Sequence, residues 1–426
     1  MLHGGELANV WEETAVPAPA VPPLAGAHRA GVLVVGAGYL GLSAALHLAL
    51  SGVDVIVVDA QMPGWGASGR SGGQAIFGHG TSQASLVAQL GPEPARRLWD
   101  LSVDALHWLR TRVERHAIDC DLHWGHAHVA TKPHQRDELL QLRDELETQY
   151  GYRTLRFLER HDVRALLATE RYVAGLYDAG SGHVHPLNYT LGLAAAAEAA
   201  GARICEVSPV DAIEPGERVR LHTPAGCVTA RYVVQARGGY LAGLRSAPDG
   251  RIMPVGTYVC ATEVLGERRL RGLVRENTAI ADVNFVLDYF RCSADHRLLF
   301  GGRVSYSGID EGDTGRATRA RMLNVFPQLA DTRLEYVWGG YVDITMNRAP
   351  DFGRIGSNVY YLQGFSGHGI AMAGMAGRLA AEAVAGQAER FDLYSRLTHR
   401  VFPGGRAFRT PALVLAMLWF RLRDLL

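Results

Sequence analysis

Short apolar runs closed by glycine or aspartate recur along the chain. The first, Val32–Val35, has no polar position, which suits a strand buried on both faces of a parallel sheet. Leu42, Ala45, Leu46, Ala49 and Leu50 then recur at helical spacing, and Ser51-Gly52 closes that helix. Val53–Val58 predicts a second strand, ending at Asp59. From Leu86 to about Ala117, the positions Leu90, Leu98, Leu101, Leu106 and Leu109 predict helix. Leu122–Ala130 reads as a strand, and residues 134–150, rich in Arg, Asp and Glu, as a solvated helix.

Leu176–Pro186 predicts a strand running into a glycine turn, after which Pro186 opens an alanine-rich helix ending near Gly201. Arg203–Val207 is a short strand, Val219–Val228 a hairpin turning at Pro224–Gly226, and Arg231–Ala236 a buried strand that opens into Gly238-Gly239. From Ile252 to about Trp338 the pattern changes to strands with hairpin signals: Val255–Thr262, Phe285–Cys292 and Leu298–Val304. Asn358–Leu362 is one more buried strand. Ile370, Met372, Met375, Ala376 and Leu379 predict the helix that follows it, its methionines serving as core. Residues 1–30 show neither period. Val16–Pro23 stiffens them into an extended arm expected to lie on the surface. Ala412–Phe420 is apolar but reaches only about half the roughly 20 residues a spanning helix needs, so a docked C-terminal helix over 401–426 is expected.

Composition narrows the classes of function. Lys+Arg and Asp+Glu each number 43, so bulk charge gives no basis for binding nucleic acid or an anionic membrane. Five scattered cysteines without a CxxC predict neither a disulfide framework nor a zinc site and suit a reducing cytoplasm. No basic-then-apolar signal stands at the N-terminus. His123, His126 and His128, and then His183 and His185, alternate on strands. Without acidic or cysteine partners at ligand spacing they are expected to pack rather than bind metal.

The glycines carry the chemistry. Gly36 permits a tight turn out of the first strand, Gly38 lets backbone approach a pyrophosphate, and Gly41 lets the helix pack on the strand. The helix start, with Tyr39 and Leu40, faces the phosphates with unpaired N–H groups. Asp59, followed by Ala60, is placed to accept from a ribose hydroxyl. A second run, residues 64–74, holds five glycines and is a poor helix. With Ala67, Ser68 and Arg70 it suits further pyrophosphate contacts, and Gly72, Gly73 and Gln74 suit a flat ring system. Gly238 opens toward the same crevice, and Gly364, Gly367, His368 and Gly369 aim another helix N-terminus at a bound group. Tyr289 and Arg291, two apart, share a strand face.

These segments resemble the FAD-dependent D-amino-acid/amine oxidase superfamily, and within it the gamma-glutamylputrescine oxidase branch. The likeness covers nearly the whole chain and includes 65–74, 181–189, 288–291, 299–302, 326–329, 364–369, 402–405 and 409–411. It implies a glutathione-reductase-like α/β flavoprotein. Its Rossmann-like FAD-binding domain, built from 31–115, 170–250 and 335–400, would sit beside an antiparallel α+β substrate domain from 116–169 and 251–334. It implies non-covalent FAD, with backbone at Val210 holding the adenine. It also implies hydride transfer from an amine carbon to the flavin, hydrolysis of the imine to an aldehyde, and oxygen or another acceptor taking the electrons. Tyr289 and His368 are expected nearest the ring. Ser71 stands where relatives usually carry Asn. Val342 stands about where related enzymes carry the cysteine of a covalent link, and the only lysine, Lys132, is far from the motifs, which leaves oxidase and dehydrogenase both open. Asp343 falls where the putrescine-type enzymes are apolar and would favour a cationic amine. An oxidase or dehydrogenase of D-amino acids or N-alkylglycines is the alternative, with Arg291 or Arg348 pairing a substrate carboxylate. A flavin-binding assembly protein without turnover is a third, against which the intact glycine segments stand.

Overall fold

The computed structural model describes residues 9–240, 247–305 and 314–403. Most of the segment expected as a C-terminal helix lies outside them. So do Arg409 and Pro411.

Two sheets organise the chain. The first runs in the order Asp351–Ile355, Val359–Gln363, Gly226–Ala236, Gly26–Val35, Val55–Val58, Arg203–Cys205. Its four strands from Val359–Gln363 to Val55–Val58 are mutually parallel, and Arg203–Cys205 joins them in parallel. The apolar runs read from the sequence form its centre because both faces are covered. Val32, Val34, Val55 and Val57 pack with helices Tyr39–Leu50, Pro92–Arg115 and Gly369–Val384. Leu33, Ile56 and Val58 pack with Val219, Leu221 and Val233 on the other side. This period of two, apolar on both phases, is what a doubly covered strand requires.

The second sheet has the order Leu334–Thr345, Ile252–Thr262, Leu298–Ser305, Tyr289–Cys292, Ala279–Asp282, His123–Ala130, Ala174–His183, Gln74–Ala75, with Leu155–Glu159 pairing Ala174–His183. It is antiparallel except where Ala279–Asp282 runs parallel to His123–Ala130. The strand Ala174–His183, within 170–250, and nearly all of Leu334–Thr345, within 335–400, pair in this sheet.

Three local expectations change. The glycines of 180–182 do not turn. Gly182 pairs with Trp124 and Ala75 as the strand continues to His183, and it is glycine for room, since a Cβ there would meet the His123 carbonyl oxygen at 2.1 Å. The long helical stretch divides at Gly91 (φ +85°) into Gln83–Leu90 and Pro92–Arg115. The proline-rich stretch Val16–Pro23 is irregular and mostly exposed, as expected, but the start of the N-terminal arm is docked. Asn9-Val-Trp-Glu12 starts a short helix, Val10–Glu13, and Val10 and Trp11 are buried against Leu187, Val259 and Trp338. Among the described residues no helix is long and apolar enough to cross a membrane.

Candidate cofactor and substrate site

Sheet register brings three distant loops together. Val35 pairs with Gln235, and Gln235 with Tyr361, so the strands ending at Val35, Ala236 and Gln363 stop at one edge. Gly36–Gly38, the segment from Arg237 to Tyr240, and Gly364–His368 leave from that edge. The helices Tyr39–Leu50 and Gly369–Val384 both begin there with no side-chain bond from the cap residue. Their first-turn N–H groups are the natural receivers of a phosphate or an electron-rich ring edge.

Gly36 and Gly41 at this edge are sterically required. A Cβ at Gly41 would stand 1.8 Å from the Gly36 carbonyl oxygen, and one at Gly36 (φ +107°) 2.8 Å from that of Ala236. A Cβ at Gly38 would fall 2.7 Å from Ser68 Oγ, which accepts the Tyr39 N–H at 3.2 Å. Ser68 therefore ties the second glycine run to the first. Tyr39 is buried, and its hydroxyl donates to the carbonyls of Ser68 (2.6 Å) and Pro186 (3.1 Å). Leu40 is buried beside it. Asp59 accepts from Ala37 N–H (2.6 Å) and Gln61 N–H (2.9 Å), and burial raises its pKa. Those two bonds leave the carboxylate with lone pairs for a further donor. Ser208 N–H donates to the Asp59 carbonyl at 2.7 Å, which sets half-buried Val210 beside that end of the crevice. Ala60 and Ala67 are exposed. Gly238 has open space at its Cβ position.

The second glycine run is partly helical, since Ala67–Arg70 completes one turn. Arg70 lies over Trp65 and donates to its carbonyl at 2.8 Å. Gly72 and Gly73 follow, then Gln74 pairs with His183. The Gln74 amide donates to the Ile280 carbonyl at 3.0 Å, which turns its oxygen toward His126 Nε2 at 3.3 Å. His126 and His128 do share a face, with ring centroids 4.6 Å apart. Tyr289 packs on Gly72, where a Cβ would lie 2.4 Å from its ring, and burial raises its pKa.

His368 stands at the start of the helix Gly369–Val384, its Nδ1 buried without a hydrogen-bond partner. Burial first, then His128, pushes its pKa down to about 4. The imidazole is therefore neutral near pH 7, and positive potential at this end comes from the helix N-terminus. Gly364 (φ +79°) and Gly367 (φ +96°) shape the loop. The Asp343 carboxylate accepts the Gly364 N–H, and Ser366 N–H donates to the Asp343 carbonyl at 3.0 Å. Burial raises the Asp343 pKa to about 7 despite those backbone N–H groups.

Arg291 is the clearest departure from expectation. It is buried, and its guanidinium donates to the carbonyls of Gly72 (2.7 Å), Val184 (2.7 Å) and Cys292 (3.0 Å) and bonds His183 Nδ1 (3.1 Å). Burial lowers its pKa to about 10. Its donors are consumed by the scaffold. Arg348 (φ +59°) lies over the Phe285 ring, and its charge helps depress His368. Sequence reasoning missed the docking of Trp11. Asn9 signals the helix start as an N-cap, its Oδ1 accepting the Trp11 N–H and its Nδ2 donating to Glu12, but nothing local signals the burial of Trp11.

A glycine cradle with two uncapped helix starts and an acid at the next strand end, closed by a second sheet, defines a dinucleotide-dependent oxidoreductase. The site's unpaired N–H groups, Asp59 and the buried, unpartnered His368 Nδ1 fit such a cofactor. The chain belongs to the FAD dependent oxidoreductase family, which it matches over residues 31–383. It is 41% identical over 395 residues to gamma-glutamylputrescine oxidoreductase of Escherichia coli (strain K12), covering 92% of each chain. It is 38% identical over 408 residues to a probable oxidoreductase, OrdL, of Haemophilus influenzae, covering 95% of this chain and 94% of that one. Its fold resembles glycine oxidase from Geobacillus kaustophilus, with a TM-score of 0.73 at 22% identity over 88% of this chain and 100% of the other. L-proline dehydrogenase from P. horikoshii gives a TM-score of 0.69 at 20% identity, over 86% and 97% of the two chains.

Proposed function

We propose that this FAD-dependent oxidoreductase oxidises the C–N bond of a gamma-glutamylated or closely related amine to an imine that hydrolyses to an aldehyde, with oxygen as electron acceptor and peroxide as product. The observation that carries the reading is the 41% identity to gamma-glutamylputrescine oxidoreductase across 92% of both chains. FAD, held without a covalent link, supplies the acceptor for a hydride equivalent.

The chain's own residues have three tasks. The glycine segments and helix starts hold the diphosphate, and Asp59 holds the ribose. Gly72, Gly73 and Tyr289 form one wall for the ring, and His368 with the helix behind it forms another. His128 and His368, half-buried and each with its pKa lowered by burial, present neutral polar groups instead of charges. Such a lining disfavours an ammonium ion relative to the free amine, which is the form whose carbon can be oxidised. Asp343 acts by holding the Gly364 loop rather than by contacting the amine.

The amino-acid oxidase reading needs a cation for the substrate carboxylate. The engagement of Arg291 with three carbonyls weighs against it. The test is anaerobic bleaching of the flavin by gamma-glutamylputrescine, putrescine, sarcosine, glycine and D-amino acids, followed by a peroxide assay in air. Bleaching by the gamma-glutamyl amine with peroxide formation is expected. Bleaching by D-amino acids or N-alkylglycines alone would overturn the substrate, and bleaching without peroxide would overturn the acceptor.

A further inference from the structure

Beyond the single turn Ala67–Arg70, the run 64–74 has little to hold its shape, since five glycines leave the backbone free. Its conformation must be imposed from outside, and the hydrogen bonds show how. Six successive carbonyls are each held by a donor. Ser68 O accepts from Tyr39 Oη (2.6 Å), Gly69 O from Asn9 Nδ2 (3.5 Å), and Arg70 O from Trp338 Nε1 (2.9 Å). Ser71 O accepts from Trp11 Nε1 (2.9 Å), Gly72 O from Arg291 Nε (2.7 Å), and Gly73 O from Val184 N (2.8 Å). In a planar peptide the N–H points away from the carbonyl. Tethering the carbonyls on the protein side therefore frees N–H groups of Gly72 and Gly73 for the cofactor side.

Tyr39, Trp338, Arg291 and Val184 are anchored by the two sheets and the helices on them. Asn9 and Trp11 are not, because they stand on the four-residue helix Val10–Glu13 that precedes the first strand. That segment is seated like a bound peptide. Trp11 lies 4.7 Å from the His185 ring and 6.1 Å from Trp338, with the Arg291 guanidinium 4.9 Å over its face. Thr14 Oγ donates to Val10 O (2.7 Å) and so accepts from His185 Nε2 (3.0 Å), whose Nδ1 accepts the Asn188 N–H (3.1 Å). Val16 N–H donates to Asn188 Oδ1 (2.8 Å), Glu12 pairs with Arg70 (3.4 Å), and Tyr336 Oη donates to Glu13 (2.5 Å).

We propose that residues 9–16 form a detachable clamp on the FAD loop and that Trp11 is its positioning residue, so that release of this segment controls how fast FAD leaves. The proposal rests on FAD binding and not on the substrate. Its measurement uses no amine, so it stands or fails apart from the function proposed above.

FAD dissociation is followed by flavin fluorescence after dilution of the holoenzyme, well below its unfolding temperature. Trp11→Ala is expected to speed release about tenfold or more, since a buried hydrogen bond and three ring contacts go. Trp11→Phe, which keeps the ring and loses the bond to Ser71 O, should speed it about fivefold. Val163→Ala, a buried site in the second sheet's own core, controls for loss of stability and should leave the rate within about twofold. Release from Trp11→Ala no faster than from Val163→Ala overturns the clamp. If Trp11→Ala does not fold, Tyr336→Phe with Glu12→Ala loosens the segment from outside. Faster release in that double variant supports the clamp and an unchanged rate overturns it.

Discussion

Whether Asp343 is charged decides what it can do, and that is measurable. Its folded-state pKa, raised to about 7 by burial, lies above the ordinary 3.8. A folded carboxyl that holds its proton longer than the unfolded one favours the fold at low pH. That advantage is complete below the unfolded pKa and is lost as pH rises through the folded one. Each pH unit between the two is worth about 1.4 kcal/mol, so the loss from pH 5.5 to 7 is about 2 kcal/mol. For a chain of this size that is about 2 °C in melting temperature. Asp343→Asn keeps an oxygen for the Gly364 N–H but cannot ionise. Apoprotein of both forms should be melted in matched buffers from pH 5 to 8.5. Wild type is expected to lose about 2 °C against the variant between pH 5.5 and 7, and the two curves should run parallel above pH 8. Other titrating groups cancel in the difference. A constant gap across the range would refute the reasoning. It would mean that Asp343 is ionised throughout, and a fixed negative charge available to a cationic amine would return to consideration.

Gly41→Ala should give protein without bound flavin, because its Cβ meets the Gly36 carbonyl, whereas Gly272→Ala, with nothing within 4 Å, should stay yellow. Absorbance near 450 nm on purification compares them. Arg291→Met leaves three buried carbonyls unpaired and should cost about 2–4 kcal/mol in urea unfolding, with loss of FAD affinity. An unaltered midpoint would remove its scaffold role. His79, bonded to Tyr394 Oη at 3.0 Å, has its pKa pushed to about 3 by burial. Its contribution is present above the unfolded pKa of 6.5 and is lost as pH falls. His79→Phe should therefore remove about 2 kcal/mol of the acid destabilisation between pH 6.5 and 5, read from urea midpoints at the two values.

Much of the parallel sheet was legible because its strands are buried on both faces and their apolar runs have one interpretation. The glycine spacing was legible because at 36 and 41 the close neighbour is backbone, which admits no side chain. Strand alternation put Tyr289 and Arg291 on one face, and both reach Gly72. What could not be read was partnership across distance. Nothing local in Arg291 says whether its guanidinium meets a ligand or the carbonyl of residue 72. Trp11 sits among prolines and polar residues, and its burial depends on Leu187, Val259 and Trp338 far along the chain. Gly180–His183 has the composition of a turn, and only pairing with His123, Trp124, Gln74 and Ala75 carries the strand through it.

The interleaving of the two sheets also sets a schedule for synthesis. The strand Gly26–Val35 leaves the ribosome well before its neighbour Gly226–Ala236, and Val359–Gln363 follows later still. At roughly 5–20 residues per second, roughly 330 residues separate the two ends of the cradle by some tens of seconds. Through that interval the early strand has an unfilled edge of apolar residues, a template for wrong pairing. Flavin cannot shorten the wait, since its walls are incomplete until residue 369 has emerged. The complete cradle thus waits on the emergence of residue 369, and a nascent chain stalled before that point lacks one of its walls.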